Sequence, residues 1–256
     1  MKVFFLSRKM MYIIAAIVII LLLVFLFMSS SKGGLASVFQ AKNRLLPIYS
    51  VETNDKVIAI SFDAAWGDEY TQEILDILSK EEIKTTFFLV GLWIDKYPDQ
   101  VKAITEAGHE IGNHSSTHPD MTKIDKNKIE QEIKETNDKI NQYTNEDPIL
   151  FRPPFGAYSN DVIKIAEDLG CYTIQWDIDS LDWKNEGSEQ IINRVVSNIR
   201  PGSIVLFHNN AEYVTKALPS IIKEVKEEGY SIIPISELIY KEKYTIDHTG
   251  RQISDH

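Results

Sequence analysis

Apolar and polar positions sort this chain into one long hydrophobic block followed by a repeating alternation. Residues 10–28 are uninterrupted apolar, 19 residues from Met10 to Met28 (28 − 10 + 1). As a helix rising ~1.5 Å per residue, such a block spans ~30 Å, the hydrocarbon thickness of a bilayer. From Val57 onward, short β-branched and aromatic runs alternate with segments of helical period. Val57-Ile-Ala-Ile-Ser-Phe62 reads as a buried parallel strand, and 69–81 as a helix with Ile74, Leu75, Ile77 and Leu78 on its apolar face. Thr85-Thr-Phe-Phe-Leu-Val90 is a second strand, 98–107 a helix stopped by Gly108, and 109–113 a weaker strand. The longest helix is predicted from an N-cap at Asp125 to about Tyr143, with Ile129, Ile133 and Ile140 striping one face. Strand-like runs at 150–152, 172–176, 203–207 and 231–233 alternate with helical segments near 161–169, 188–198 and 215–228. Repeated βα units predict a parallel sheet with right-handed crossovers. Closed into a barrel, they would bring every strand's C-terminal end to one face.

The flanks of the apolar block set the expected topology. Lys2, Arg8 and Lys9 precede it, which keeps residues 1–9 in the cytoplasm and places residues 29–256 outside. The alternative is a signal peptide cleaved near Gly34-Leu35-Ala36, giving a secreted protein. Residues 29–54 read as a linker, 55–240 as one folded domain, and 241–256 as a polar, loosely held tail. A chain of 256 residues that is 44% hydrophobic supplies one substantial core. The formal charge of −10 argues against nucleic acid as a partner. Cys171 is the one cysteine, so no intramolecular disulfide forms, and its apolar neighbours mark a packed thiol.

Polar clusters then fall at the ends of the apolar runs. They are Ser61-Phe62-Asp63-Ala64-Ala65-Trp66-Gly67, His114-Ser-Ser-Thr-His118, Arg152-Pro-Pro-Phe-Gly156, Asp179-Ser-Leu-Asp182-Trp183 and Leu206-Phe-His208. Taken singly each has a plain alternative: Asp63 as a helix cap, His114 and His118 as surface histidines, Arg152 as a surface ion pair. Ser115 stands where a helical metalloprotease motif needs glutamate, which excludes that reading. Five clusters at five strand ends make one site.

Together these clusters resemble the polysaccharide deacetylase family (carbohydrate esterase family four), over about 57–239. The resemblance implies an irregular (β/α)7 barrel and a hydrolase acting on non-peptide carbon–nitrogen bonds. By resemblance, Asp63 is the general base, held by Arg152, and His208 the general acid, paired with Asp182. His114 and His118 match metal ligands for a divalent ion, zinc or cobalt. Phe155 matches the residue whose N–H steadies the oxyanion, and Trp183 and Leu206 match the walls of the acetyl pocket.

One position departs from the pattern: Ala64 stands where the family carries a second, metal-binding aspartate. Asp68 or another carboxylate substitutes, or Asp63 turns to the metal, or binding is weak. Ala64-Ala65-Trp66-Gly67 resembles a branch found among sporulating bacteria. The expected function is therefore a membrane-anchored, monomeric N-deacetylase of peptidoglycan or another N-acetylhexosamine polymer. The alternatives are a catalytically silent wall-binding or assembly protein, or an O-acetyl esterase.

Overall fold

The computed structural model describes residues 8–41 and 44–255, and the chain divides into two units, Met1–Arg44 and Leu45–His256. The first carries the helix Arg8–Ala41, whose stretch Arg8–Leu26 is long and apolar enough to cross a membrane by length and composition, a test that a signal sequence also meets. Residues 1–7, most of the expected cytoplasmic segment, lie outside the described residues. Residues 29–41, expected as linker, continue the helix, since extending a formed helix costs far less than nucleating one.

The strands of the second unit are β1 Ser50–Val51, β2 Val57–Ala64, β3 Thr86–Leu89, β4 Glu110–Asn113, β5 Leu150–Phe151, β6 Tyr172–Thr173, β7 Ile178–Asp179, β8 Ile204–His208, β9 Ser231–Ile232, β10 Tyr244–Ile246 and β11 Arg251–Ser254. The main sheet runs β6-β5-β4-β3-β2-β8-β7, with β9 also on β2, and the paired strands are parallel. Helices cover it, so β2 is buried almost throughout and reads as an apolar run. Phe62 stacks on Phe87 and Phe207 with ring centroids 5.0 and 5.6 Å apart. Helices Thr71–Lys80 and Val214–Glu227 bury Ile74, Leu75, Leu78, Ile221, Ile222 and Val225. The long helix Lys126–Thr144 begins as its sequence predicts, with the Asp125 carboxylate accepting from Lys128 N–H, and buries Ile129, Ile133 and Ile140.

The sheet curls into a half-barrel; the expected closed barrel is not completed by strand pairing. Its edges β6 and β7 are joined by residues 174–177 alone, too few for the crossover that parallel neighbours require. A strap from the N-terminal side crosses this opening. Ile48 N–H donates to Thr173 O at 2.9 Å, Ile48 O accepts from Gln175 N–H at 2.7 Å, and Val51 N–H donates to Gly202 O at 2.9 Å. Gly202 sits at φ +79°, where a Cβ would overlap the Val51 carbonyl oxygen, so glycine alone lets the strap dock.

A second sheet, β1-β11-β10, secures the strap from its other side. Ser50 and Val51 pair in parallel with Arg251 and Gln252, and β10 returns antiparallel on β11. Gln252 is buried and clamps Tyr240 from both ends, accepting from its N–H at 2.8 Å and donating to its O at 2.7 Å. The expected linker therefore gives way to fold by Ser50. The expected tail is in large part a hairpin, because pairing with β1 satisfies polar backbone that the local sequence leaves open.

Candidate active site

Parallel pairing brings chemistry-bearing residues to one edge of the sheet. Asp63, near the end of β2, lies beside Phe88 of β3 and His208, the last residue of β8. Side chains alternate along a strand. Phe62 and Ala64 join the apolar cluster that includes Ile74 and Leu78, which leaves Asp63 to face the inside of the curl.

Asp63 is 5% exposed and is gripped by a fully buried Arg152, whose Nη1 donates to Asp63 Oδ1 at 2.7 Å. Arg152 Nη2 donates to Gln175 O at 3.2 Å, and the guanidinium lies 4.0 Å from the Phe88 ring centroid. Burial works to raise the Asp63 pKa, but Arg152, with His208, outweighs it and holds the carboxyl below its ordinary value. The carboxylate is thus charged and aimed, as a base needs to be.

His114 follows β4 and donates from Nδ1 to Arg152 O at 2.7 Å, because a carbonyl oxygen only accepts. Burial keeps the ring neutral by lowering its pKa. Its Nε2 therefore presents a lone pair 3.4 Å from Asp63 Oδ2. His118 lies 5.0 Å from His114 between ring centroids. Its pKa is pushed down to about 4, chiefly by burial. His118 Nδ1 is buried without a hydrogen-bond partner. Ser115 and His118 stand at φ 69° and 59°, so the segment is a loop, as Pro119 and Gly112-Asn113 suggest in sequence.

Two neutral imidazoles, one with an orphaned nitrogen and one aiming a lone pair at a carboxylate oxygen, fit a divalent cation in chemistry. They fall short in number: among the described residues no group of three or more His, Cys, Asp or Glu is spaced to hold a metal. The methyl of Ala64 is buried among apolar neighbours, and Asp68 is engaged by Gln100 Nε2 at 3.4 Å.

His208 and Asp182 form a second pair. His208 Nδ1 and Asp182 Oδ1 are 2.7 Å apart, and His208 N–H donates to Asp182 Oδ2 at 2.7 Å. Burial opposes the charged ring, but the Asp182 carboxylate, with Asp63 and Asp179, outweighs it and raises the His208 pKa. The contribution of this pair to stability is thus full below about pH 6.5 and is lost as pH rises through the raised value. Asp182→Asn removes the larger opposing charge and leaves the burial. It is expected to bring the His208 pKa below its ordinary value, as read by NMR titration of the imidazole protons. A value still above about 6.5 would show that Asp182 is not what holds the proton.

The remaining expected residues sit around these pairs. Leu206 is buried two positions before His208, beside Asp179 of β7, while Trp183 is exposed in the turn after Asp182. Phe155 lies 4.5 Å from the His118 ring, at φ 59°. Leu181 holds φ 54° directly before Asp182. Positive φ at bulky residues is costly and collects at working sites.

Two supporting residues escape sequence reasoning. Asn113 donates to Asn137 Oδ1 at 2.6 Å, accepts from Ser115 N–H at 2.7 Å and takes Arg152 N–H on its carbonyl at 2.9 Å, so it braces the histidine loop and the arginine together. A polar side chain at the end of a buried strand is the signal it offers. Gln175 acts through its backbone, which leaves no signal.

A protein-family model for polysaccharide deacetylase matches residues 50–174. A peptidoglycan-N-acetylglucosamine deacetylase of Bacillus cereus (strain ATCC 14579) is 37% identical over 196 residues, covering 75% of this chain and 92% of that protein. The uncharacterized protein YlxY of Bacillus subtilis (strain 168) is 35% identical, and the match covers 75% of this chain and 60% of YlxY. A CE4 family pseudoenzyme from Bacillus anthracis superposes with a TM-score of 0.73 at 40% identity, over 75% of this chain and 68% of that one. A mutant of that pseudoenzyme with restored enzymatic activity superposes equally, at 0.73 and 41% identity, over 75% and 70%.

Proposed function

From the premise that the chain belongs to the polysaccharide deacetylase family, we propose that it is a membrane-anchored hydrolase removing N-acetyl groups from peptidoglycan or a related N-acetylhexosamine polymer. The observation that carries this reading is the retention of two oppositely tuned pairs on one sheet edge, Asp63–Arg152 and His208–Asp182. In this mechanism Asp63 takes a proton from water as its oxygen adds to the acetyl carbonyl carbon. His208, protonated through Asp182, gives its proton to the nitrogen as the carbon–nitrogen bond breaks, so acetate and a free amine result. The Phe155 N–H steadies the oxyanion, and Leu206 and Trp183 bound the methyl. A divalent ion on His114 and His118, zinc or cobalt, supplies carbonyl polarisation and a more acidic water when bound.

The N-terminal helix serves as the anchor, with the domain outside the cell as a monomer and the cell or spore wall as its setting. The likeness of Ala64-Ala65-Trp66-Gly67 to the sporulation-type branch supports that setting. That same segment favours a second reading, a silent wall-binding or assembly protein, because Ala64 leaves the metal set a carboxylate short.

Acetate release from peptidoglycan and N-acetylglucosamine oligomers separates the two readings. The wild-type chain and Ala64→Asp are assayed with zinc, cobalt or chelator, with His208→Ala as control. Metal-dependent release by the wild type, lost in the control, supports the hydrolase. Release by Ala64→Asp alone assigns the natural chain to the silent reading. Ala64→Asp is also expected to melt lower in chelator, by ~1–3 kcal/mol for a buried unpaired polar group, and to regain this on zinc with tighter binding. No gain in zinc affinity would mean that another group already fills the third position.

A further inference from the structure

The main sheet has a second opening, at the end away from Asp63 and His208. There β4 and β5 pair at one position, Asn113 with Phe151. Beside Glu110, which starts β4, and Pro148 and Ile149, which precede β5, a cleft of about 500 Å³ remains. Ile111, Ile140 and Ile149 give it an apolar wall, and its lining carries Glu110, Glu146, Asp147 and Glu237 against one cation, Lys241. Glu110 is already engaged, accepting from Thr86 Oγ1 at 2.6 Å and from Ser236 N–H at 3.2 Å. Glu146, Asp147 and Glu237 are exposed and make no ion pair among the described residues.

Exposed carboxylates are ordinary; a buried histidine with an unused N–H beside them is not. His109 lines the same cleft and is 7% exposed. Its ring packs on Phe87, with centroids 5.3 Å apart, and its Nδ1 accepts from Thr85 N–H at 3.2 Å. A backbone N–H only donates, so the ring proton sits on Nε2. Burial, with Lys84 nearby, pushes the pKa down to about 4, so the ring stays neutral and keeps this tautomer. Nε2–H finds no acceptor among the described residues. A donor left unused on a buried side chain is costly until a bound group supplies the acceptor.

We infer that this cleft, at the opposite end of the sheet from Asp63 and His208, binds a basic peptide segment of a partner protein. A main-chain carbonyl accepts from His109 Nε2–H, while lysine or arginine heads meet Glu146, Asp147 and Glu237. Their aliphatic stems lie on Ile111 and Ile149. A small diamine brings the charge but no acceptor for His109. An acidic segment is repelled by this lining and by a chain of formal charge −10. The cleft uses no residue of the Asp63 and His208 pairs, so it stands whether or not the chain releases acetate.

The test uses the full-length chain in uncharged detergent and a fluorescent trilysine capped at both ends, followed by anisotropy. Binding is expected, and it should weaken as salt rises. Glu146→Gln with Glu237→Gln should weaken it ~fivefold or more, because two exposed charge pairs are lost. The same charge change at the exposed Glu186 and Glu189, as Glu186→Gln with Glu189→Gln, should move it less than ~twofold, since neither lines the cleft. In His109→Asn the amide oxygen can still accept from Thr85 N–H while the Nε2 donor is gone, so a fold of unchanged melting temperature should bind ~threefold more weakly or worse. Equal weakening by the two glutamate pairs, or no binding at all, overturns the site. So does unchanged affinity in His109→Asn, binding of capped triglutamate, or putrescine competing as well as unlabelled trilysine, the last assigning the cleft to small amines.

Discussion

Asp63→Asn is expected to lower acetate release by ~10²–10⁴-fold, the range that a positioned general base contributes. Asparagine keeps an oxygen that can accept from Arg152 Nη1, so the geometry at 2.7 Å can persist, but it takes up no proton at working pH. His114 and His118 are untouched, so zinc stoichiometry should stay close to that of the parent, measured on the same preparation. Turnover within ~twofold of wild type would remove Asp63 from the role of base. Loss of zinc together with activity would instead make Asp63 a ligand, one of the alternatives that Ala64 opens.

Arg152→Met is expected to give the largest loss of stability, about 3–5 kcal/mol, because it leaves the buried Asp63 carboxylate without its partner. Arg152 is fully buried and Asp63 nearly so, and methionine fills much of the same volume beside Phe88. The charge, rather than a cavity, therefore decides the outcome. Combining Arg152→Met with Asp63→Asn removes the stranded charge and should recover a large part of the loss, as read by urea midpoints of the two variants. A double variant as unstable as the sum of the single changes would place the cost in packing instead.

The main sheet was legible because β2, β3, β4 and β8 lie in apolar or β-branched stretches between helical periods. β1, β10 and β11 were not, since two to four residues carry no period and β1 and β11 pair from opposite ends of the domain. The short helix Gly91–Lys96 also escaped, joined to the next helix by Tyr97 alone. Closure of the barrel was over-read from the count of βα units, where the brief link at 174–177 is the deciding detail. Asp63, His114, Arg152, Asp182 and His208 could be found because each is a polar residue at the end of an apolar run. Gln175 could not, because a residue acting through its backbone has no required side chain, and Asn113 offered only a polar side chain at the end of a buried strand.

The strap at Ile48–Val51 ties chain completion to the making of the base. In a polypeptide made from its N-terminus, Ile48 and Val51 appear long before Gln252. Until that last strand arrives, the strap is held on one side only, by the main sheet. Gln175, whose N–H bonds Ile48 and whose carbonyl takes Arg152 Nη2, sits at the junction. Arg152, and through it Asp63, thus reaches its final setting when the C-terminus has been delivered. Order of synthesis becomes order of assembly, and a copy cut short near its end lacks the outer support of its own carboxylate.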